Sequence, residues 1–143
     1  MRLLPLVLAV ALLLAPACGG GEEAATKEPT ETRAAEGDPA RGKEIFLTRG
    51  CKNCHAFTPA GTTDYTGPNL DLVVRRYDAE FIRESLVNPD AYIEKGSGGS
   101  IGGDREYRVP MPNYGPQAEN SENQLTEQQL ADLLAFLLTS KPD

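Results

Sequence analysis

Apolar positions recur at helical spacing in three stretches of this chain, separated by long polar segments rich in glycine and proline. The most regular stretch runs from about Thr126 to Thr139. There Leu130, Leu133, Leu134, Leu137 and Leu138 form a stripe, with Phe136 beside them. Thr126 followed by Gln129 fits a capping box, in which each side chain satisfies one free backbone N–H. A second stretch, Asp78 to Val87, spaces Phe81, Ile82 and Leu86 as a helix would, and Asn88-Pro89 ends it. The third opens at Asp38-Pro39: aspartate accepts from the unpaired N–H groups of a first turn, and proline has no N–H to lose there. Gly42, Ile45, Phe46 and Arg49 follow, and Gly50 is a natural stop. Leu72-Val73-Val74 reads as a short helical turn. Residues 96–103 (GSGGSIGG) predict a flexible loop, and residues 109–116 (VPMPNYGP) a segment stiffened by proline. Nothing reads as a sheet. The pattern predicts an all-α domain of three to four helices with long loops, and such loops in a small domain need something to pack against. A large, flat, apolar cofactor meets that need.

The first residues have a different character. Arg2 precedes an apolar run from Leu3 to Leu14, and small residues continue to Cys18, which makes residues 1–17 a signal peptide. The run is short for a membrane span of roughly 20 residues and contains Pro5; a retained anchor helix is the alternative. Ala15-Pro16-Ala17 suits a cut just before Cys18. The same site resembles a bacterial lipobox, with Ala15 where leucine is usual, and the following Gly19-Gly20-Gly21-Glu22 resembles a lipoprotein tether. Lipidation of Cys18 is therefore expected, the alternative being a soluble protein that begins at a free Cys18. Residues 18–37 hold almost no large apolar side chain and read as a flexible acidic linker. The folded domain is expected over residues 38–143. The protein is expected to be exported, lying at the outer face of the cytoplasmic membrane or in the periplasm.

Charge and cysteine count narrow the chemistry. A net charge of −7, from 14 basic and 21 acidic side chains, repels phosphate backbones and argues against a nucleic-acid partner. Three cysteines suit no simple disulfide framework. One histidine and two methionines, one of them the initiator, make any ligand assignment tight.

Cys51-Lys52-Asn53-Cys54-His55 is a C-x-x-C-H sequence, the attachment pattern of a c-type haem. Cysteines three apart on one helical turn reach both vinyl groups along a porphyrin edge, and the next histidine offers a nitrogen to iron. Three other readings compete. A zinc half-site would need four ligands, and neither a second cysteine pair nor a second histidine exists. A thioredoxin-type pair would need a βαβ setting. A plain disulfide is the third. The histidine, the export signal and the helix–loop pattern favour one covalent haem c. Met111 is the only methionine beyond the initiator, and a thioether ligand opposite histidine raises the reduction potential. Pro110 and Pro112 hold its backbone on both sides, a setting poorly suited to a core gap-filler.

In order along the chain, the helix with Gly42 and Phe46, CKNCH, T-G-P-N-L at Thr66 to Leu70, the methionine loop and a last helix with Phe136 resemble the class I cytochromes c over Asp38 to Ser140. The resemblance implies that the first and last helices cross near Gly42 with Phe46 and Phe136 stacked there. It also implies that Pro68 offers its carbonyl to the outer nitrogen of His55, fixing the tautomer. The Glu84-Ser85-Leu86-Val87-Asn88-Pro89 stretch, with Ala91 and Ile93 following, is similar to the cytochrome c domains of bacterial haem-copper oxidases. The GSGGSIGG loop, the charged stretch from Asp104 to Arg108 and the acidic 117–123 loop enlarge the region around the methionine beyond the family minimum.

With both axial positions filled by His55 and Met111, the expected role is one-electron transfer in a membrane-associated respiratory chain, not catalysis. Redox proteins such as a terminal oxidase or a quinol-oxidising complex are the expected partners, with the lipid anchor holding the domain near them. The alternatives are a subunit of an oxidase or dehydrogenase complex, an open-iron sensor or peroxidase, and a domain that haem merely stabilises. Arg75, Arg76 and Lys95 are candidates for haem propionates or a partner, against the plainer reading of a solvated charged face.

Overall fold

The computed structural model describes residues 36–107 and 109–142. The expected signal peptide, Cys18, the linker up to residue 35 and Arg108 lie outside the described residues. Four α-helices form: α1 Pro39–Thr48, α2 Leu70–Arg76, α3 Ala79–Val87 and α4 Glu127–Leu137. Among the described residues there is no sheet, only two isolated antiparallel bridges, Phe57 to Thr62 and Lys95 to Glu106. The all-α expectation therefore holds, at the upper end of the expected helix count. No helix among the described residues is long and apolar enough to cross a membrane.

α1 begins where aspartate and proline direct it. The Asp38 carboxylate accepts from the N–H groups of Ala40 (2.8 Å) and Arg41 (3.4 Å). α4 begins at the anticipated capping box: Thr126 Oγ1 accepts from Gln129 N–H at 3.2 Å, and Gln129 Oε1 accepts from Thr126 N–H at 2.9 Å. α1 and α4 cross at Gly42, as the family resemblance implied. A Cβ on Gly42 would lie 2.0 Å from the Asp132 carbonyl oxygen and 2.7 Å from Phe136 Cβ, so only hydrogen fits. Beside the crossing, the rings of Phe46, Phe57 and Phe136 meet pairwise at centroid separations of 5.8, 5.8 and 5.3 Å, the two pairs with Phe136 edge to face. Val74, Ile82, Leu86, Leu125, Leu130 and Leu133 complete this core.

One charged residue sits inside it. Asp132 is 2 % exposed. Its carboxylate accepts from Asp38 N–H (2.8 Å), from Arg41 Nε (2.9 Å) and Nη2 (3.1 Å), and from Gln128 Nε2 (2.9 Å). The hydrogen bonds from Arg41 are the main reason its pKa falls to about 2.

Two local expectations need correction. α2 is a full helix over Leu70–Arg76, not a turn at 72–74. The Asn69 side chain caps it by accepting from Asp71 N–H at 2.8 Å; Asp71 in its first turn and Arg75 and Arg76 in its last complement the helix dipole. Fully buried Val74 anchors it to the core. The glycine-rich 96–103 stretch, expected to be flexible, is folded back and tied. Gly96 N–H donates to Arg105 O (2.6 Å), Gly103 N–H to Lys95 O (3.0 Å), and the Gly99 carbonyl accepts from Asn69 N–H (2.9 Å) at the head of α2.

Candidate haem-binding cleft

Gly50, with φ of 86°, turns the chain out of α1 into a 3-10 turn at Cys51–Asn53. The Cys51 carbonyl accepts from the N–H groups of Cys54 (3.2 Å) and His55 (3.1 Å). Cys51, Cys54 and His55 thereby line one wall of a cleft of about 250 Å³. A void of that size is not a packing gap, because protein interiors hold few spaces larger than a water molecule. Both cysteines are free thiols, and burial pushes the Cys51 thiol up to about 11.

The histidine is held in one orientation. His55 Nδ1 lies 2.7 Å from the Pro68 carbonyl oxygen. A carbonyl can only accept, so Nδ1 carries the proton and Nε2 keeps its lone pair. Burial lowers the His55 pKa, which favours the neutral ring. Gly67 makes the seat: a Cβ there would stand 2.7 Å from His55 Cε1 and 3.0 Å from Nδ1. Gly67 N–H donates to the Cys54 carbonyl at 2.7 Å, fastening the T-G-P-N-L segment to the cysteine turn.

Met111 lines the same cleft, half-buried and packed against the core cluster. Leu70, Val73, Phe81, Ile93 and Val109 supply further apolar lining. Two thiols, an imidazole with an available Nε2, a thioether and apolar walls form a donor set that fits a porphyrin carrying iron. Among the described residues no group of three or more His, Cys, Asp or Glu is suited to a metal ion on its own. Among these residues a zinc reading therefore finds no assembled ligand set, and a thioredoxin-type reading finds no strands.

The aromatic side of the cleft was not visible in the sequence. Tyr77 stacks on Phe81 at 4.0 Å with planes 16° apart, and Tyr92 meets Phe81 edge-on at 5.3 Å. The Tyr77 hydroxyl donates to Glu94 Oε2 at 2.7 Å and lies 3.2 Å from the Tyr92 hydroxyl. Burial is the main cause that raises the Tyr77 pKa above its ordinary value. The one available signal was that aromatics are few, yet four of the five tyrosines (Tyr77, Tyr92, Tyr107 and Tyr114) line the cleft. Arg75, Arg76 and Lys95 are exposed and do not line it. The Arg76 guanidinium instead lies over the Tyr77 ring, 5.5 Å from its centroid.

These features define a small helical domain built around a covalent haem site. A family model for cytochrome c matches residues 39–141, and the chain belongs to the cytochrome c family. Cys51 and Cys54 fit the family's C-x-x-C-H haem-binding motif, and the family's work is haem-based electron transfer. No curated protein matched the chain.

Proposed function

We propose that this protein is a closed-site electron carrier. Cys51 and Cys54 would hold a haem c through thioethers, and His55 Nε2 and Met111 Sδ would be the protein ligands of its iron. The bound haem supplies a one-electron ferric–ferrous couple. The observation that carries the reading is the His55–Pro68 hydrogen bond of 2.7 Å, which keeps the lone pair of Nε2 unprotonated beside two free thiols and the thioether of Met111.

The chain's own residues then do three things. Pro68 and Gly67 fix the tautomer and the angle of His55, so the ligand needs no rearrangement when the charge on the site changes. A neutral thioether from Met111 favours the lower oxidation state and so a higher potential. The phenylalanine core and the apolar cleft lining exclude water. With His55 and Met111 both bound to iron, the site would leave no open position for peroxide or a diffusible ligand, and the proposed role is that of a carrier.

The wider setting belongs to the same proposal. The apolar Leu3–Leu14 run and the small residues before Cys18 support export and lipidation of Cys18, which would hold the domain at the outer face of the cytoplasmic membrane or in the periplasm. Donors and acceptors would be respiratory redox proteins met in weak, short-lived complexes. A second placement, as a subunit of a haem-copper oxidase, is favoured by Glu84-Ser85-Leu86-Val87-Asn88-Pro89, and co-purification with such a complex distinguishes it.

The test is absorption spectroscopy of protein matured with haem in an exporting host. A low-spin c-type spectrum is expected, with a far-red ferric band that Met111→Ala removes. A high-spin spectrum in the unmodified protein would overturn the closed site and favour an open-iron sensor or peroxidase.

A further inference from the structure

We infer that Tyr114 is a positioning residue whose hydroxyl clasps the methionine loop to the cysteine wall of the cleft, and so sets how firmly the Met111 thioether is presented. The inference rests on the ligation proposed above. It begins from the attachments of the loop. Pro110 and Pro112 have no N–H, so neither neighbour of Met111 can donate a backbone bond. Proline stiffens such a segment but does not fasten it. Among the described residues, the nearest backbone bonds made by the flanking segments are Tyr107 N–H to Glu94 O (3.3 Å) before Met111 and Tyr114 N–H to Leu86 O (2.8 Å) after it.

Tyr114 is the stronger of these anchors because three elements meet on it. Its N–H reaches the last turn of α3 at Leu86. Its carbonyl accepts from Leu125 N–H at 3.1 Å, just ahead of α4. Its hydroxyl donates to the Arg49 carbonyl at 3.2 Å, at the end of α1 and two residues before Cys51. That last bond ties the methionine loop to the residue that leads into the cysteine turn. The ring is buried, 5 % exposed, and loss of the hydroxyl leaves the Arg49 carbonyl without this donor. The turn that delivers it is also fixed: Asn113 Oδ1 accepts from Gly115 N–H at 2.7 Å.

The ring and the two backbone bonds account for ordinary packing. The hydroxyl bond does something separate, because it limits how far Met111 can swing away from His55. Removing it opens the sixth position more often and leaves the core intact.

The experiment is imidazole titration of the ferric holoprotein, followed by the far-red band, for the unmodified protein, Tyr114→Phe and Ile82→Val. Ile82 lies in the core away from the cleft and reports on global loosening. Tyr114→Phe is expected to bind imidazole about five-fold more tightly, the weight of one hydrogen bond, while Ile82→Val leaves the affinity unchanged. If Tyr114→Phe matches the unmodified protein, the clasp is overturned while the His55/Met111 reading stands. Equal tightening in Ile82→Val would also overturn it, by tracing the effect to general destabilisation. If the unmodified protein shows no far-red band, the ligation reading itself fails, and the clasp falls with it.

Discussion

The α1–α4 crossing and the opposite, methionine-bearing side of the cleft are built by different means. The crossing is held by packing: Gly42 against the Asp132 carbonyl, three phenylalanines in mutual contact, and one buried carboxylate with every near partner in place. The methionine side is held by turns and point attachments, from Gly98 and Gly99 through the prolines to Asn113. There Tyr92, Ile93 and Val109 line the cleft while 46 %, 44 % and 56 % exposed, an apolar rim of the kind that marks a binding site. The contrast separates two tasks. One side is close-packed and carries the turn that holds His55, while the other carries Met111, the proposed second ligand, on a frame of turns.

The comparison can be broken at the crossing, where the largest losses are expected. Phe46→Ala removes a 1 % exposed ring that touches Phe57 and Phe136, and should cost about 4 kcal/mol in guanidinium unfolding of the holoprotein. Its folded-state visible spectrum should stay the same. Gly42→Ala should cost about 2 kcal/mol, because a Cβ 2.0 Å from a backbone carbonyl forces the helices apart. That loss is expected despite alanine's better helix propensity. A neutral outcome for Gly42→Ala would mean that the crossing is not close-packed, and the contrast would lose its basis.

Asp132 gives the crossing an acid-pH signature. Its folded pKa of about 2 lies below the unfolded value near ~4. Between these values the unfolded chain binds more protons, so the contribution is fully present above about pH 4 and is lost as pH falls through 2. Arg41 is largely exposed, with 58 % of its side-chain surface accessible, so the contribution is about 1–2 kcal/mol. Asp132→Asn should lower stability at pH 7, and its gap to the unmodified protein should close between about pH 4 and pH 2. Met111→Ala should leave that pH dependence unaltered, whatever it does to the spectrum.

Legibility in the sequence divided along the same line. Residues that act on their neighbours were readable: Asp38 and Thr126 with Gln129 at helix starts, the α4 stripe, and the cysteine–histidine turn. The family resemblance supplied Gly42, Phe46, Phe136 and Pro68, and the structure brings each to the contact it implied. What stayed hidden depends on partners far along the chain. Asp132 is a polar residue on an amphipathic helix until Asp38 and Arg41 arrive from 94 and 91 residues away. Tyr77, Phe81 and Tyr92 form one aromatic group, but Tyr77 precedes α3 and Tyr92 follows it, so no single helical stripe carries all three. The GSGGSIGG stretch has the composition of a flexible loop, yet its neighbours Lys95 and Arg105 and the distant Asn69 amide fasten it.

That loop offers the smallest and most local effect. Gly98 has φ of 56° with nothing within 4 Å of where a Cβ would stand. Gly98→Ala therefore adds only the strain of a left-handed alanine, about 1 kcal/mol, and Gly98→Asn, which tolerates that conformation, should relieve most of it. The strain acts beside the Gly99 carbonyl that holds Asn69 N–H at 2.9 Å. A turn on the point-attached side should open locally and not with the whole domain. Amide exchange at Asn69 should accelerate about five-fold in Gly98→Ala, the equivalent of that 1 kcal/mol, while the unfolding midpoint barely moves. A drop in global stability equal to that of Gly42→Ala would show that the methionine side folds as one unit with the crossing. A change confined to Asn69 and its neighbours would mean that the region around the ligand can be remodelled while the phenylalanine core stands.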